Sequence, residues 1–171
     1  DKYLTYHYSQ GRITENAKAE DTIFAKYQAY NLFFAIVDTN KELFSTLLHN
    51  FERILCIGSV DLYIPNKSST LGQNSDTFDV GAALFTAYSL LEASEKFSEP
   101  EYKSKALKII KCIKTNFVVK NEILGKLIVS AYDKNQNLFI RPSDFPLFVV
   151  QRLSELDPDL KKLLHNSYVA I

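Results

Sequence analysis

The chain of 171 residues contains no Met and no Trp, only two Cys, five Gly and five Pro, and its 20 basic and 20 acidic residues cancel. That balance leaves no global field to draw in nucleic acid or an anionic membrane surface, so neither is an expected partner. No run approaches the roughly 20 consecutive apolar residues needed to span a bilayer. Two cysteines fall far short of a disulfide framework. Cys56 and Cys112 sit in the apolar helical contexts Ile54-Leu55-Cys56-Ile57 and Ile110-Lys111-Cys112-Ile113. A small buried hydrophobe is the plain expectation for each, with a mutual disulfide in an oxidising compartment as the alternative. His7, His49 and His165 are scattered and no CxxC or His/Cys cluster has ligand spacing, so neither a metal nor a cofactor is expected. A start at Asp1 with no Met anywhere points to a processed chain from which an initiator and a signal peptide are gone.

What is present is a 46% hydrophobic chain able to bury one substantial core, so residues 1–171 are expected to form a single domain. Residues 21–37 make a helix apolar nearly all round. Asp38-Thr39-Asn40 then supplies a turn and an N-cap for a second helix to about Cys56, with Leu43, Phe44, Leu47, Leu48, Phe51 and Leu55 at helical spacing. A connection from Gly58 to about Asp76 leads to a third helix, Asp79 to Phe97. Ser98-Glu99-Pro100 breaks the chain, and a fourth helix follows from Glu101 to about Asn116, its lysines outward. These are two hairpins of one build: an apolar helix followed by one with a polar face, which predicts an inner and an outer layer. Leu127–Tyr132 and Leu138–Ile140 flank Asp133-Lys134-Asn135-Gln136-Asn137 and predict one β-hairpin. A fifth helix is expected over 145–156, and Asp157-Pro158 opens a sixth.

Several short segments, in order, resemble glycoside hydrolase family 8, the cellulases and chitosanases that include the endoglucanase of bacterial cellulose operons. The stretch Lys26-Tyr27-Gln28-Ala29-Tyr30-Asn31-Leu32-Phe33-Phe34-Ala35-Ile36-Val37 is similar to the family's Glu-Gly-Gln-Ser/Ala-Tyr-Gly/Ala-Met/Leu-Phe-Phe-Ala-Leu-Val. Gly11-Arg12-Ile13 is similar to its Asp-Gly-Arg-Val/Ile, with Gln10 for Asp. Ala87-Tyr88-Ser89-Leu90-Leu91-Glu92-Ala93 resembles its Ala-Tyr/Trp-Ser/Ala-Leu-Leu-Glu-Ala, Glu99-Pro100-Glu101-Tyr102 its Glu-Pro-x-Tyr, and Arg141-Pro142-Ser143-Asp144-Phe145-Pro146 its Asn-Pro-Ser-Tyr-Leu/Phe-Pro. The resemblance implies an all-α fold of helical hairpins forming part of an (α/α) six-hairpin toroid, with a small β-hairpin. The family continues for a comparable length and carries its catalytic base there, so this chain is expected to be about half of a toroid.

The departures fall on the chemistry. The family's general acid is the first Glu of the catalytic helix, and here that position is Lys26. Glycoside hydrolysis needs a carboxyl group to protonate the leaving oxygen and a second carboxylate for water or sugar. Ahead of the Leu-Leu-Glu-Ala run the family has Ser-Asp-x-Asp; the gapless register puts Val80-Gly81-Ala82-Ala83 there, so both acids are replaced, by Gly81 and Ala83. A two-residue slip brings Asp79 to the first acidic position. No Trp is available to cover a pyranose face, although ten Tyr and twelve Phe remain.

Each candidate residue carries a plain alternative. Glu20, Asp21, Asp76, Asp79 and Glu122 are candidate replacement carboxylates, but at loop or helix N-terminal positions acids more often cap and meet the helix dipole. Lys26 is either a cleft cation for a partner's or sugar's carboxylate or the mark of drift after catalysis was lost, and if in a cleft it should reach water or Asp76 or Asp79. Tyr27, Tyr30 and Tyr88 line a residual groove or pack in the core with the hydroxyl at a rim. Glu92 is taken as structural. The site expectation is therefore no catalytic residue, with a residual cleft of Lys26, Tyr27, Tyr30, Asp76, Asp79 and Tyr88. The expected function is a non-catalytic binding or structural component, associated with polysaccharide or a protein partner, oligomeric or heteromeric, and periplasmic or secreted. The alternatives are a β-glycan glycosidase using other carboxylates or a partner subunit, and a helical domain of unrelated role.

Overall fold

The structure, a computed structural model, describes residues 8–9, 12–13, 22–55, 64, 67–69, 78–132, 138–156 and 158–171. The described residues contain six α-helices and eight short strands; the helices are α1 Ala25–Val37, α2 Lys41–Leu55, α3 Val80–Lys96, α4 Pro100–Asn116, α5 Leu147–Leu153 and α6 Pro158–Val169. Eight short strands pair antiparallel in four two-stranded sheets: β1 Tyr8–Ser9 with β2 Arg12–Ile13, β3 Thr22–Phe24 with β4 Lys67–Ser69, β5 Val118–Asn121 with β6 Gly125–Ile128, and β7 Ala131–Tyr132 with β8 Leu138–Phe139. Among the described residues no helix is long and apolar enough to cross a membrane.

The two-layer expectation follows through to packing. Helix α3 buries twelve residues, from Val80 to Ala93, and packs against α1, α4 and α5 at once, so it has no face left for water. Helix α4 buries only Ala106, Ile109, Ile110, Cys112 and Ile113, a single stripe, and its lysines stay outside. The Asn40 side chain accepts from the Leu43 N–H at 2.9 Å and starts α2 as its position predicts. Outer helices α2 and α4 are stitched by the Phe44 and Tyr102 rings, 5.1 Å between centroids, by Ser45 and Tyr102 hydroxyls 3.1 Å apart, and by Lys105 reaching Glu52 at 2.8 Å.

Three boundaries differ from expectation. The first helix begins at Ala25 rather than 21, because 22–24 pair as β3 with β4. The fifth is shorter than 145–156: Pro142–Asp144 form a 3₁₀ turn, Phe145 is buried, and Pro146, with fixed φ and no N–H to donate, stands at the start of a helix over Leu147–Leu153. The predicted single hairpin is two. Leu127 and Ile128 pair backward with Val119 and Val118, and only Ala131 and Tyr132 pair forward with Phe139 and Leu138. Between them the Val129 N–H donates to the Phe117 carbonyl and the Ser130 N–H to that of Phe139, so the strand changes partner across two residues. The earlier turn is set by Asn121, whose side chain accepts from the Ile123 and Leu124 N–H groups, and by Gly125 at φ +78°, a conformation other residues adopt only with strain. Cys112 is buried with its Sγ 3.5 Å from the Asn116 amide nitrogen; Cys56 lies outside the described residues.

Helix α6 holds the β5–β6 hairpin through side chains. Asn166 donates to the carbonyls of Leu124 and Lys126 at 2.7 and 2.8 Å, and buried Ser167 accepts the Ile128 N–H at 2.7 Å while donating to the Leu163 carbonyl. Ser167→Ala leaves that buried N–H without its acceptor and is expected to lower stability by about 1–3 kcal/mol, measured by urea unfolding; a loss below a few tenths would show that the hairpin does not depend on this bond.

Candidate functional site

At its N-terminus α1 has Phe24 in the capping position, with no side-chain cap bond, and no acid in its first turn. Unfilled N–H groups and the helix dipole make that end a place for negative charge, yet the chain puts Lys26 there. The missing anion comes from elsewhere. Asp144, at the end of the 3₁₀ turn, brings Oδ1 to 3.6 Å from the Lys26 ammonium, and its side chain is 1% exposed. Its Oδ2 accepts from Arg141 Nε at 2.8 Å. The turn is itself pinned: the Arg141 backbone N–H donates to the buried Ser130 hydroxyl at 2.8 Å, and the Asp144 N–H donates to the Arg141 carbonyl. A carboxylate this deep is tolerated because two cations and a hydrogen bond meet it.

The seat for that carboxylate is Gly81. A Cβ on Gly81 would lie 2.5 Å from Asp144 Oδ1, 2.8 Å from its Cγ and 3.0 Å from its Cβ. No side chain fits there while Asp144 stays. Beside it Asp79 caps α3, accepting the Ala82 N–H at 2.9 Å, and is 5% exposed. Burial pushes the Asp79 carboxyl above its ordinary range and the neighbouring Asp144 charge adds to that, against the Ala82 N–H and the Arg141 and Lys26 cations. Phe24, Lys26, Tyr27, Asp79, Arg141, Ser143 and Asp144 surround one cavity of about 190 Å³.

Of the residues that the sequence nominates, Lys26, Tyr27 and Asp79 share this cavity. Tyr30 and Tyr88 belong to an aromatic group with Phe33, Phe85 and Phe148, ring centroids 4.7 to 6.0 Å apart where they touch. Ala83 is fully buried in α3. Glu122 lies exposed in the β5–β6 turn, and Glu92 is bound by Arg152 at 2.6 Å. That Arg152, also held by Glu95 and Glu155, has its pKa raised first by the Glu92 bond. Glu20, Asp21 and Asp76 lie outside the described residues. Among the described residues the ion-pair partner of Lys26 is Asp144 rather than Asp79; the expected Asp76 lies outside them. Arg141, Ser143 and Asp144 join the site although residue type and spacing nominate none of them; only the segment that contains them resembles the family. The signal for them in the sequence is a glycine in the first turn of an otherwise apolar helix together with an Arg141/Asp144 pair three apart.

Comparison with known proteins fits this architecture. No family model matches the sequence. An endoglucanase of Xanthomonas axonopodis pv. citri (strain 306) is 27% identical over 158 residues, which is 86% of this chain and 41% of that protein. The endo-1,4-D-glucanase of Vibrio fischeri ES114 superposes with a TM-score of 0.84 at 21% identity, covering 96% of this chain and 51% of the other. A family 8 glycosyl hydrolase endoglucanase from Klebsiella pneumoniae gives 0.84 at 15% identity over 98% and 56%. The fold is that of the family 8 glycoside hydrolases. The helical hairpins are part of an (α/α) six-hairpin toroid, and the chain spans about half the length of the relatives it matches.

Within this family 8 fold the Gly81–Asp144 contact makes an unusual demand. In a helix Gly→Ala ordinarily gains about 1 kcal/mol. Here Gly81→Ala is expected to lose about 1–3 kcal/mol, because Asp144 must leave its two cations to make room. Combining Gly81→Ala with Asp144→Ser should cost less than the sum of the two changes; additivity in that double-mutant cycle would show that the contact is not strained. Asp79 yields a pH prediction. With its folded pKa above the unfolded one, the native state holds the extra proton between the two values, so Asp79 costs stability as pH rises from the ordinary carboxylate range through the raised value. Asp79→Asn keeps a capping acceptor and cannot ionise. Its melting temperature relative to the unchanged protein should therefore improve from pH 4 toward neutrality; a difference that stays flat or falls would contradict the shift.

Proposed function

We propose that this chain is a non-catalytic relative of family 8 glycosidases that binds saccharide. One observation carries this: Lys26, which the sequence resemblance sets at the place of the family's proton donor, is an ammonium ion-paired with a buried carboxylate seated on Gly81. An ammonium does not protonate a glycosidic oxygen in the manner of a carboxylic acid, and a side chain 1% exposed is poorly placed to reach substrate. The cavity nevertheless remains, lined by an aromatic pair, a hydroxyl, two cations and the carboxyl groups of Asp79 and Asp144, a convergent polar set that suits recognition. A periplasmic or secreted setting accords with such a role.

The partner of this component is proposed to sit along the open side of the inner helices. Phe34 and Val37 at the end of α1 and Leu147 and Phe148 on α5 are exposed, and apolar area of this kind usually marks an interface.

A second reading, an active glycosidase using replacement carboxylates, has one observation in its favour. Asp79 and Asp144 face one cavity, the first pushed toward protonation and the second ion-paired with two cations, and acid and base roles separate when two carboxyl groups have such different surroundings. The two readings part on activity. The protein is expected to release no reducing sugar from soluble β-1,4-glucan or chitosan above buffer, and Lys26→Glu is expected to fold, with reduced stability from the acid placed beside Asp144, and to remain inactive. Activity in the unchanged protein that Asp79→Asn abolishes would support the second reading, and activity gained by Lys26→Glu alone would overturn the first.

A further inference from the structure

The cations of the cavity have donors to spare. Lys26 Nζ, 30% exposed, is 3.6 Å from Asp144, near enough for attraction and too far for a hydrogen bond. Arg141, 51% exposed, uses Nε on Asp144, and among the described residues its two Nη groups, like Lys26 Nζ, donate to nothing else. Two positive groups thus share one buried carboxylate and line the same cavity; the second carboxyl there, Asp79, is buried, caps α3 and is pushed toward its neutral form. The Nη pair of an arginine matches the two oxygens of a carboxylate, and a lysine adds a second point of charge. Next to them the half-exposed Tyr27 ring is held edge-on by Phe24, 5.6 Å between centroids at 72°, offering a fixed flat face. Ser143 adds a hydroxyl.

We propose that this cavity binds the carboxylate of an acidic saccharide, a uronate-bearing glycan, with Arg141 Nη and Lys26 Nζ on the carboxylate and Tyr27 against the sugar ring. The inference rests on the saccharide-binding reading above and names its ligand class. Asp144 acts as the positioning anion that keeps both cations in place without neutralising them fully. The size of the cavity suits one sugar unit of a longer chain.

The test is titration of the full chain with trigalacturonate and, separately, with cellotriose, followed by calorimetry and by NMR of the Lys26 amide and Arg141 side-chain N–H signals. Trigalacturonate is expected to bind at least tenfold more tightly than cellotriose, to weaken several-fold between 50 and 300 mM salt, and to shift the Arg141 Nη–H signals. Lys26→Met and Arg141→Lys, each first shown folded by its melting curve, should each weaken trigalacturonate at least tenfold and cut its preference over cellotriose several-fold. The NMR shifts on the unchanged protein decide the matter if either variant fails to fold. Equal affinity for the two sugars, or a preference for cellotriose, overturns the acidic-ligand inference and leaves the saccharide-binding reading standing. Binding of neither sugar overturns both. Equally tight binding of a polyglutamate peptide at Arg141 overturns the saccharide assignment in favour of an acidic polypeptide.

Discussion

The burial of the Asp144 carboxylate is the constraint on which the rest of the site depends. An ionised acid 1% exposed survives only if its charge is met, and it is met by Lys26 from α1 and Arg141 from its own turn. It also needs volume, which α3 supplies by having no side chain at Gly81. Helix α1, helix α3 and the turn before α5 are thus joined at one point by charge and by shape. Removing one cation leaves the other on an undercompensated acid, and adding a Cβ at 81 displaces the acid itself.

In the sequence Lys26, Gly81 and Asp144 stand far apart along the chain. In space they meet at one point: the Asp144 carboxylate sits against Gly81 and is ion-paired with Lys26. The helix dipole at the start of α1 favours an anion near that end, and the Asp144 carboxylate partly restores it from outside the helix.

How far the sequence was legible differs by element. The four long helices and their two-layer order were readable because apolar residues at period 3.6 leave few other solutions, and the burial of α3 against the single stripe of α4 follows that pattern. Asn40, Pro100 and Pro158 marked helix starts by local chemistry alone. The strands were less legible. Leu127–Tyr132 reads as one run in sequence, but the hydrogen bonds of Val129 and Ser130 go to opposite partners, Phe117 and Phe139, and nothing local says where a strand changes neighbour.

The sequence by itself determined the helical hairpins and the likeness to family 8, since each depends on residue type and spacing. Only the tertiary structure decided what Lys26 does. Asp144 is 118 positions away along the chain, in a segment whose likeness to the family gives no hint of an ion pair, and no local pattern sets Gly81 beneath its carboxylate. Pair energies between charges depend on distance and burial, neither of which is written in a one-dimensional pattern. The packing of α1, α3 and the 3₁₀ turn supplied both.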